Sequence, residues 1–287
     1  MNPALLLLAD SRLPAGGHAH SGGTEQAITS GAVFDVPSLA RFLRGRLHTT
    51  GALAAILTAA AHNHATAPPQ PPSSASTAAE PAPGTAPPGP GSPWVLLDAE
   101  VDARTASPAQ RDASRTQGRL LLRVARRMWP SPVLEELAGA VPSPHHPIAL
   151  GAVAHAAGAT AEEAAMAAAY HAVSGPATAA VRLLGLDPVA VHGLLADLAP
   201  DLAAVAAEAH LAVTNARTTA VADVGSTAVA DVDSAAVADV DSAGRPDVAS
   251  GAADPRPWLG ALPAYSSPAL DLLAEQHARA EIRLFVS

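Results

Sequence analysis

An alanine-rich run at residues 161–174 constrains the fold more than any other feature of the chain. Half of its positions are alanine, and its larger apolar side chains are Met166, Tyr170 and Val173. Alanine is the strongest helix former, and a helix with small apolar side chains on every side is typical of a buried position. The run therefore predicts a central helix against which other helices pack closely, with a kink or break expected at Pro176.

Capping signals predict further helices, and no segment has the alternating pattern of a β-strand. Ser107 with Gln110 and Thr160 with Glu163 have the spacing of capping boxes. Pro200 is expected to bend the helix that contains it. The predicted helices are residues 24–33, 38–62, 94–104, 108–128, 147–155, 161–184, 188–214 and 269–281. We therefore predict an all-α fold, a single helical-bundle domain.

Two segments are predicted to be disordered insertions in this domain. The first, residues 67–93, is rich in proline, a composition that cannot build a core. The second, residues 215–257, contains an eight-residue repeat that starts as Thr-Thr-Ala-Val-Ala-Asp-Val-Gly at 218–225. A period of eight is too short for a helical solenoid, and the glycines of calcium-binding repeats are missing. One domain over residues 1–287, interrupted twice, is the expected organisation.

Missing residue types exclude several kinds of chemistry. The chain has no cysteine, and all 17 basic residues are arginine. Disulfides, thiolate metal sites, Schiff-base lysines and the lysine of a phosphate-binding loop are therefore excluded. The net charge of −9 argues against nucleic acid as a partner. The apolar segment at residues 4–9 is too short to span a membrane, so we expect a cytoplasmic protein without a membrane partner.

The candidate reactive groups of the chain are its twelve histidines and Ser21. Three closely spaced histidine pairs occur, at His18 and His20, His62 and His64, and His145 and His146. None has the helical i,i+4 spacing of a zinc-protease motif. Ser21, His20 and Asp10 include the residue types of a triad, but the Gly-x-Ser-x-Gly pattern is missing. We expect no catalytic residue, no metal ligand and no bound cofactor; a histidine-rich metal-binding protein is the alternative.

A row of arginines follows the predicted helix 108–128. Five of them are four residues apart: Arg111, Arg115, Arg119, Arg123 and Arg127. Each step of four advances about 40° around a helix, so the row stays on one side. Like charges at this spacing repel one another unless acidic groups neutralise them. The row is therefore either a solvated face or a docking surface for the acidic side chains of another protein.

A tight loop between Asp10 and Glu25 is the most distinctive motif in the chain. Pro14 stiffens the backbone just before Gly16 and Gly17, which adopt positive φ angles at little cost. The paired glycines do not complete a dinucleotide-binding fingerprint. Nothing in the loop is typical of an enzyme.

The loop resembles the opening segment D-S-x-x-P-x-G-G-[aromatic]-x-H-S-x-G-x-E of the UreF family of urease accessory proteins. The matching residues are Asp10, Ser11, Pro14, Gly16, Gly17, His20, Ser21, Gly23 and Glu25. His18 departs from the pattern, since the family usually has phenylalanine there. The carboxyl end resembles the family ending R-x-E-x-R-L-F-x-S, at Arg279, Glu281, Arg283, Leu284, Phe285 and Ser287. Arg115, Gly118 and Leu121 lie in a stretch similar to a family helix.

The resemblance implies an all-helical urease maturation chaperone without a catalytic centre. It would bridge the scaffold UreD (also called UreH) and the nickel-delivering GTPase UreG, regulate that GTPase, and form a homodimer. Nickel and GTP would be handled by the partners during nickel insertion into apo-urease. The expected partner-binding residues are Asp10, Pro14, Gly16, Gly17, His20, Ser21, Glu25, Arg111, Arg115, Gly118, Arg119, Arg283, Leu284 and Phe285. A helical interaction protein outside urease biology is a further alternative.

Overall fold

A computed structural model describes residues 2–10, 13–15, 20–66, 92–233, 257–280 and 284–285, with the backbone alone at 221–233 and 257. Every regular element in these ranges is helical, which confirms the all-α prediction. The elements are α1 (Ala4–Ala9), α2 (Thr24–Thr29), α3 (Val36–Arg46), a π-helical turn (Leu47–Gly51), α4 (Ala52–Thr66), α5 (Pro93–Arg104), α6 (Pro108–Met128), α7 (Pro132–Ala140), α8 (His146–Ala156), α9 (Ala161–Leu184), α10 (Pro188–Asp197), α11 (Ala199–Asp233), a 3-10 turn (Pro257–Leu259) and α12 (Pro268–Arg279).

The alanine-rich helix α9 lies at the centre of the fold, as its composition predicts. It packs against α4, α8 and α11, and its alanines are largely buried. The predicted capping box closes its first turn, since Thr160 and Glu163 each accept a hydrogen bond from the other's backbone N–H. Pro176 does not break the helix, which continues to Leu184.

Helix α4 is the second central element, and it shows what small residues contribute. It lies between α8, α9 and α11. A Cβ placed on Gly151 of α8 would lie 2.4 Å from the carbonyl oxygen of Thr58 in α4. The two helices therefore approach so closely that only glycine fits at this crossing.

Helix α6 packs its apolar side against α8 and α12. Ser107 caps its start, since the Ser107 Oγ accepts a hydrogen bond from the backbone N–H of Gln110 at 3.2 Å. The second half of the predicted capping box does not form. Instead, Gln110 Nε2 donates to Asp271 Oδ1 in α12 at 3.0 Å, which links two helices that are distant in the sequence.

The single helix predicted over residues 188–214 is instead interrupted between α10 and α11, and the chain bends by 43° at this break, two residues before Pro200. Within the described residues, no single helix is long and apolar enough to cross a membrane; only this bent pair reaches that length and composition jointly. Helix α7 was not predicted, although Ser131 and Pro132 have the residue types of a helix start.

Helix α11 extends beyond residue 215, where the second insertion was predicted to begin. Its backbone remains helical to Asp233. Ala216 is buried, and the guanidinium of Arg217 lies 5.7 Å from the centre of the Trp258 ring. The chain is therefore still packed against the core beyond residue 215. Residues 67–91 and 234–256, which make up most of the predicted insertions, lie outside the described residues.

Candidate partner-binding site

Arg115 lies in an ionic cluster between α5, α6 and the segment that precedes α8. Its guanidinium donates to Asp98 Oδ2 at 2.8 Å, to Asp102 Oδ2 at 2.6 Å and to the carbonyl oxygen of Ser143 at 2.9 Å. The carboxylate of Asp98 is only 7% exposed. The predicted docking residue Arg115 thus neutralises two acidic groups of its own chain, of which Asp98 is buried.

His145 completes this cluster from the other side. Its ring is fully buried, its Nε2 lies 2.9 Å from Asp102 Oδ1, and its backbone N–H donates to Asp98 Oδ1 at 2.7 Å. Burial lowers the pKa of His145 below its usual value, despite the two nearby carboxylates. Burial opposes charge on Asp102, but hydrogen bonds from His145 and Arg115 outweigh it and lower the pKa of that carboxyl.

The same residues form the candidate metal-ligating group of the described chain. Potential ligand atoms of Asp98, Asp102 and His145 lie within 4.8 Å of one another. Both carboxylates already accept hydrogen bonds from the Arg115 guanidinium, however. Arg115 thus already supplies positive charge to both carboxylates of this group.

Gly118 lies one turn further along α6, where the helix touches the segment before α8. A Cβ at this position would be 2.1 Å from the carbonyl oxygen of Pro144 and 2.7 Å from the carbonyl carbon of His145. The guanidinium of Arg111 also contacts groups of its own chain. One of its nitrogens lies 3.9 Å from Asp102 Oδ1, and another donates a hydrogen bond to the carbonyl oxygen of Thr105. Gly118 and Arg111 therefore contribute to packing in the isolated chain.

The later arginines of the row have different surroundings. Arg119, Arg123 and Arg127 are exposed, and none forms an ion pair within the part of the chain that the structure describes. We call these three residues the basic stripe. Arg126, which lies beside the row, pairs with Glu135 of α7. The exposed part of the arginine row thus lies in the carboxyl-terminal half of α6.

The predicted loop and the predicted tail meet at Glu25. Its carboxylate accepts hydrogen bonds from the backbone N–H groups of Leu284 at 2.9 Å and Phe285 at 3.1 Å. His277, which sequence reasoning did not single out, adds a hydrogen bond from its Nε2 to the carbonyl oxygen of Phe285 at 3.2 Å. Two motifs about 260 residues apart therefore form one site.

A cavity of about 380 Å³ lies beside this contact. Asp10, His20 and Phe285 line it together with His146 and His171, whose ring centres are 5.6 Å apart. Burial, with smaller contributions from the neighbouring histidines, lowers the pKa of His146 to about 3. Burial also lowers the pKa of His171, so the charged form of both imidazoles is disfavoured in the cavity wall.

Only some of the remaining predicted residues lie within the part of the chain that the structure describes. His20 and Ser21 are buried, and Pro14 is exposed. Gly22 and Gly23, at φ angles of 59° and 85°, turn the chain into α2. Three predicted residues, Gly16, Gly17 and Arg283, lie outside the described residues, as does His18.

Comparison with known proteins decides the family. A UreF family model matches residues 33–199. The chain is 45% identical over 207 residues to the urease accessory protein UreF of Mycobacterium sp. (strain JLS), which covers 71% of this chain and 84% of the relative. The chain belongs to the UreF family. UreF of Mycolicibacterium vanbaalenii is 42% identical, and the match covers 71% of this chain and 84% of that relative. UreF of Mycobacterium marinum is 40% identical, and the match covers 74% of this chain and 86% of that relative.

Membership of the UreF family confirms the resemblance inferred from the loop and the tail, and it makes this chain a urease accessory protein, acting in urease maturation. The part matched by the UreF model includes all of α6, with both the Arg115 cluster and the basic stripe. The contact between Glu25 and the tail residues Leu284 and Phe285 lies outside the matched range.

Proposed function

We propose that the chain promotes urease maturation by bridging the scaffold UreD (UreH) and the GTPase UreG while nickel is inserted into apo-urease. In this role it acts as a homodimer and regulates the GTPase without a catalytic centre of its own. Nickel and GTP are held by the partner proteins. Family membership supports the process, and the exposed surfaces support the bridging role.

The observation that carries this proposal is the basic stripe. Arg111, Arg115 and Arg126 form ion pairs with acidic side chains of the chain, whereas no ion pair of Arg119, Arg123 or Arg127 is found among the described residues. Three like charges at four-residue spacing repel one another. Carboxylates of a partner would relieve this repulsion and form charge-assisted hydrogen bonds with the planar guanidinium groups. The stripe therefore fits an acidic surface of the GTPase or the scaffold.

The test is co-expression of the Arg119→Glu, Arg123→Glu double variant with the scaffold and the GTPase, followed by affinity capture and size exclusion. We expect capture of one partner to fall at least about tenfold, because charge reversal replaces attraction by repulsion at the interface. Arg41→Glu, an exposed position on α3, is the matched control. Unchanged capture by a double variant with normal helicity would remove the stripe from the proposal.

The carboxyl-terminal tail is the second proposed contact, and it is assigned to the scaffold. Leu284 exposes 74% of its surface, so its apolar side chain is accessible to another protein. Deletion of residues 282–287 is expected to weaken co-purification with the scaffold. Normal co-purification after the deletion would show that the scaffold binds elsewhere.

A further inference from the structure

Glu25 and His277 surround a short, bent piece of backbone at Leu284 and Phe285. Each oxygen of the Glu25 carboxylate accepts one N–H of two consecutive residues, Leu284 and Phe285. His277 Nε2 donates to the carbonyl oxygen of Phe285, and His277 Nδ1 lies 3.7 Å from Glu25 Oε2. The three hydrogen bonds of this group are all made to the main chain of the tail.

The two side chains that make these contacts are well shielded from water. The side chain of His277 is 2% exposed and that of Glu25 is 13% exposed. Hydrogen bonds from N–H groups to an ionised carboxylate are stronger than neutral ones, and limited exposure strengthens them further. With the tail in place, its N–H groups supply the donors without which a shielded carboxylate would be costly.

We propose that Glu25 and His277 form a binding site for a bent peptide backbone with two consecutive N–H groups on one side, which the chain's own tail occupies, and that the docked tail closes one side of the adjacent cavity. The occupant is this chain because Leu284 and Phe285 supply both N–H groups and the carbonyl. This proposal concerns the isolated chain and does not depend on its role with urease.

The side chains of the docked tail explain the closure. Phe285 lines the same cavity as His146 and His171, whereas Leu284 is largely exposed. The tail thus has an inner and an outer side, with the aromatic ring of Phe285 at the cavity wall. Release of the backbone from Glu25 would withdraw this ring and admit reagents from solution.

The test is modification of the purified full-length chain by diethyl pyrocarbonate at pH 7, with peptide mapping by mass spectrometry. Because the pKa of His146 is about 3, its imidazole is already neutral at pH 7, and its reactivity reports access to the cavity. Deletion of residues 284–287 provides the open reference. We expect this deletion to accelerate modification of His146 and His171.

Glu25→Gln should accelerate the same modifications towards the rate of the deletion. It should also lower the hydrogen-exchange protection of the Leu284 and Phe285 amides about tenfold, as expected for loss of one charge-assisted hydrogen bond. Glu208→Gln makes the same chemical change at an exposed position of α11 and should change neither readout. Glu25→Asp keeps the charge but shortens the side chain, and an intermediate effect is expected.

Two results would overturn the proposal. If the deletion leaves the modification of His146 and His171 unchanged, the tail does not close the cavity. If Glu25→Gln and Glu25→Asp both leave amide protection of the tail unchanged, Glu25 is not its binding site. Neither readout involves a urease protein, so failure here is distinct from failure of the bridging function.

Discussion

The two halves of α6 carry the same arginine spacing and have opposite surroundings. In the amino-terminal half, Arg111 and Arg115 face acidic side chains of α5. In the carboxyl-terminal half, the basic stripe faces solvent. A broken buried ion pair costs far more than a lost surface pair. One row of charges therefore contains two kinds of residue, one that maintains the fold and one that is available to other proteins.

This difference determines how the surface has to be tested. A substitution that removes Arg115 together with Arg119 would change folding and docking at once, because Arg115 holds two carboxylates of its own chain. A loss of partner capture would then have two explanations. Substitutions confined to one half of α6 separate them, and their expected effects decrease along the helix.

The largest effect is expected from Arg115→Ala. It leaves the buried carboxylate of Asp98 without its main counter-ion, so the free energy of unfolding should fall by about 3 kcal/mol, the lower end for a broken buried pair. Urea denaturation followed by circular dichroism measures this change. Arg119→Ala, at an exposed position on the same helix, is the matched control and should remain within about 0.5 kcal/mol of the parent. Equal effects of the two substitutions would abolish the distinction between the halves.

Gly118→Ala should be the next most damaging change, although alanine is the better helix former. The new methyl group would overlap backbone atoms of Pro144 and His145, and overpacking of this kind costs about 1–3 kcal/mol. Gly139→Ala in α7 is the control, since its Cβ would meet nothing within 4 Å. It should stabilise the chain by roughly 0.5–1 kcal/mol. A stable Gly118→Ala variant would mean that α6 is not held tightly against the segment before α8.

Local features of the fold could be predicted from the sequence, because their causes lie within a few residues. The capping box of Thr160 and Glu163 and the bend near Pro200 depend on neighbouring backbone groups alone. The extent of α11 was missed because a compositional repeat was interpreted as unstructured. Residues 215–224 contain neither proline nor glycine, and this could have indicated that the helix continues.

The contacts of the candidate site could be predicted only in part, because they join distant segments. The motifs that contain Glu25 and Phe285 were recognised separately, but their contact spans 260 residues. Charge spacing likewise could not distinguish Arg115 from Arg119, since the acidic partners of Arg115 are on another helix. Sequence patterns thus identified the residues, whereas only the packing of the helices assigned a role to each.

Acid should destabilise the fold, because burial lowers the pKa of His145 and His146 in the segment that contacts the amino-terminal half of α6. The pKa of His146 is lowered from 6.5 to about 3. Between these values the unfolded chain binds more protons, so stability is lost as the pH falls below about 6.5. His146 alone contributes at most about 1.4 kcal/mol per pH unit. In urea denaturation between pH 7.5 and 5, the free energy of unfolding should fall less steeply with pH for His146→Asn than for the parent.

The matched control for this titration is His48→Asn, at an exposed position in the π-helical turn, which should retain the parent's loss of stability in acid. Protonation of His146 would also place positive charge beside His20 and His171, which adds repulsion in the cavity wall. If the unfolding free energy of His146→Asn depends on pH as steeply as that of the parent, other groups dominate the response to acid.

Arg123→Glu should have the smallest effect on stability and the opposite sign. It replaces two repulsive contacts, with Arg119 and Arg127, by two attractive ones at i,i+4 spacing, each worth about 0.2–0.5 kcal/mol. We expect a gain of about 0.5 kcal/mol in unfolding free energy at low salt, which 1 M sodium chloride should remove because the pairs are exposed. A salt-independent loss of stability would mean that Arg123 is held by its own chain, and the carboxyl-terminal half of α6 would then resemble the amino-terminal half.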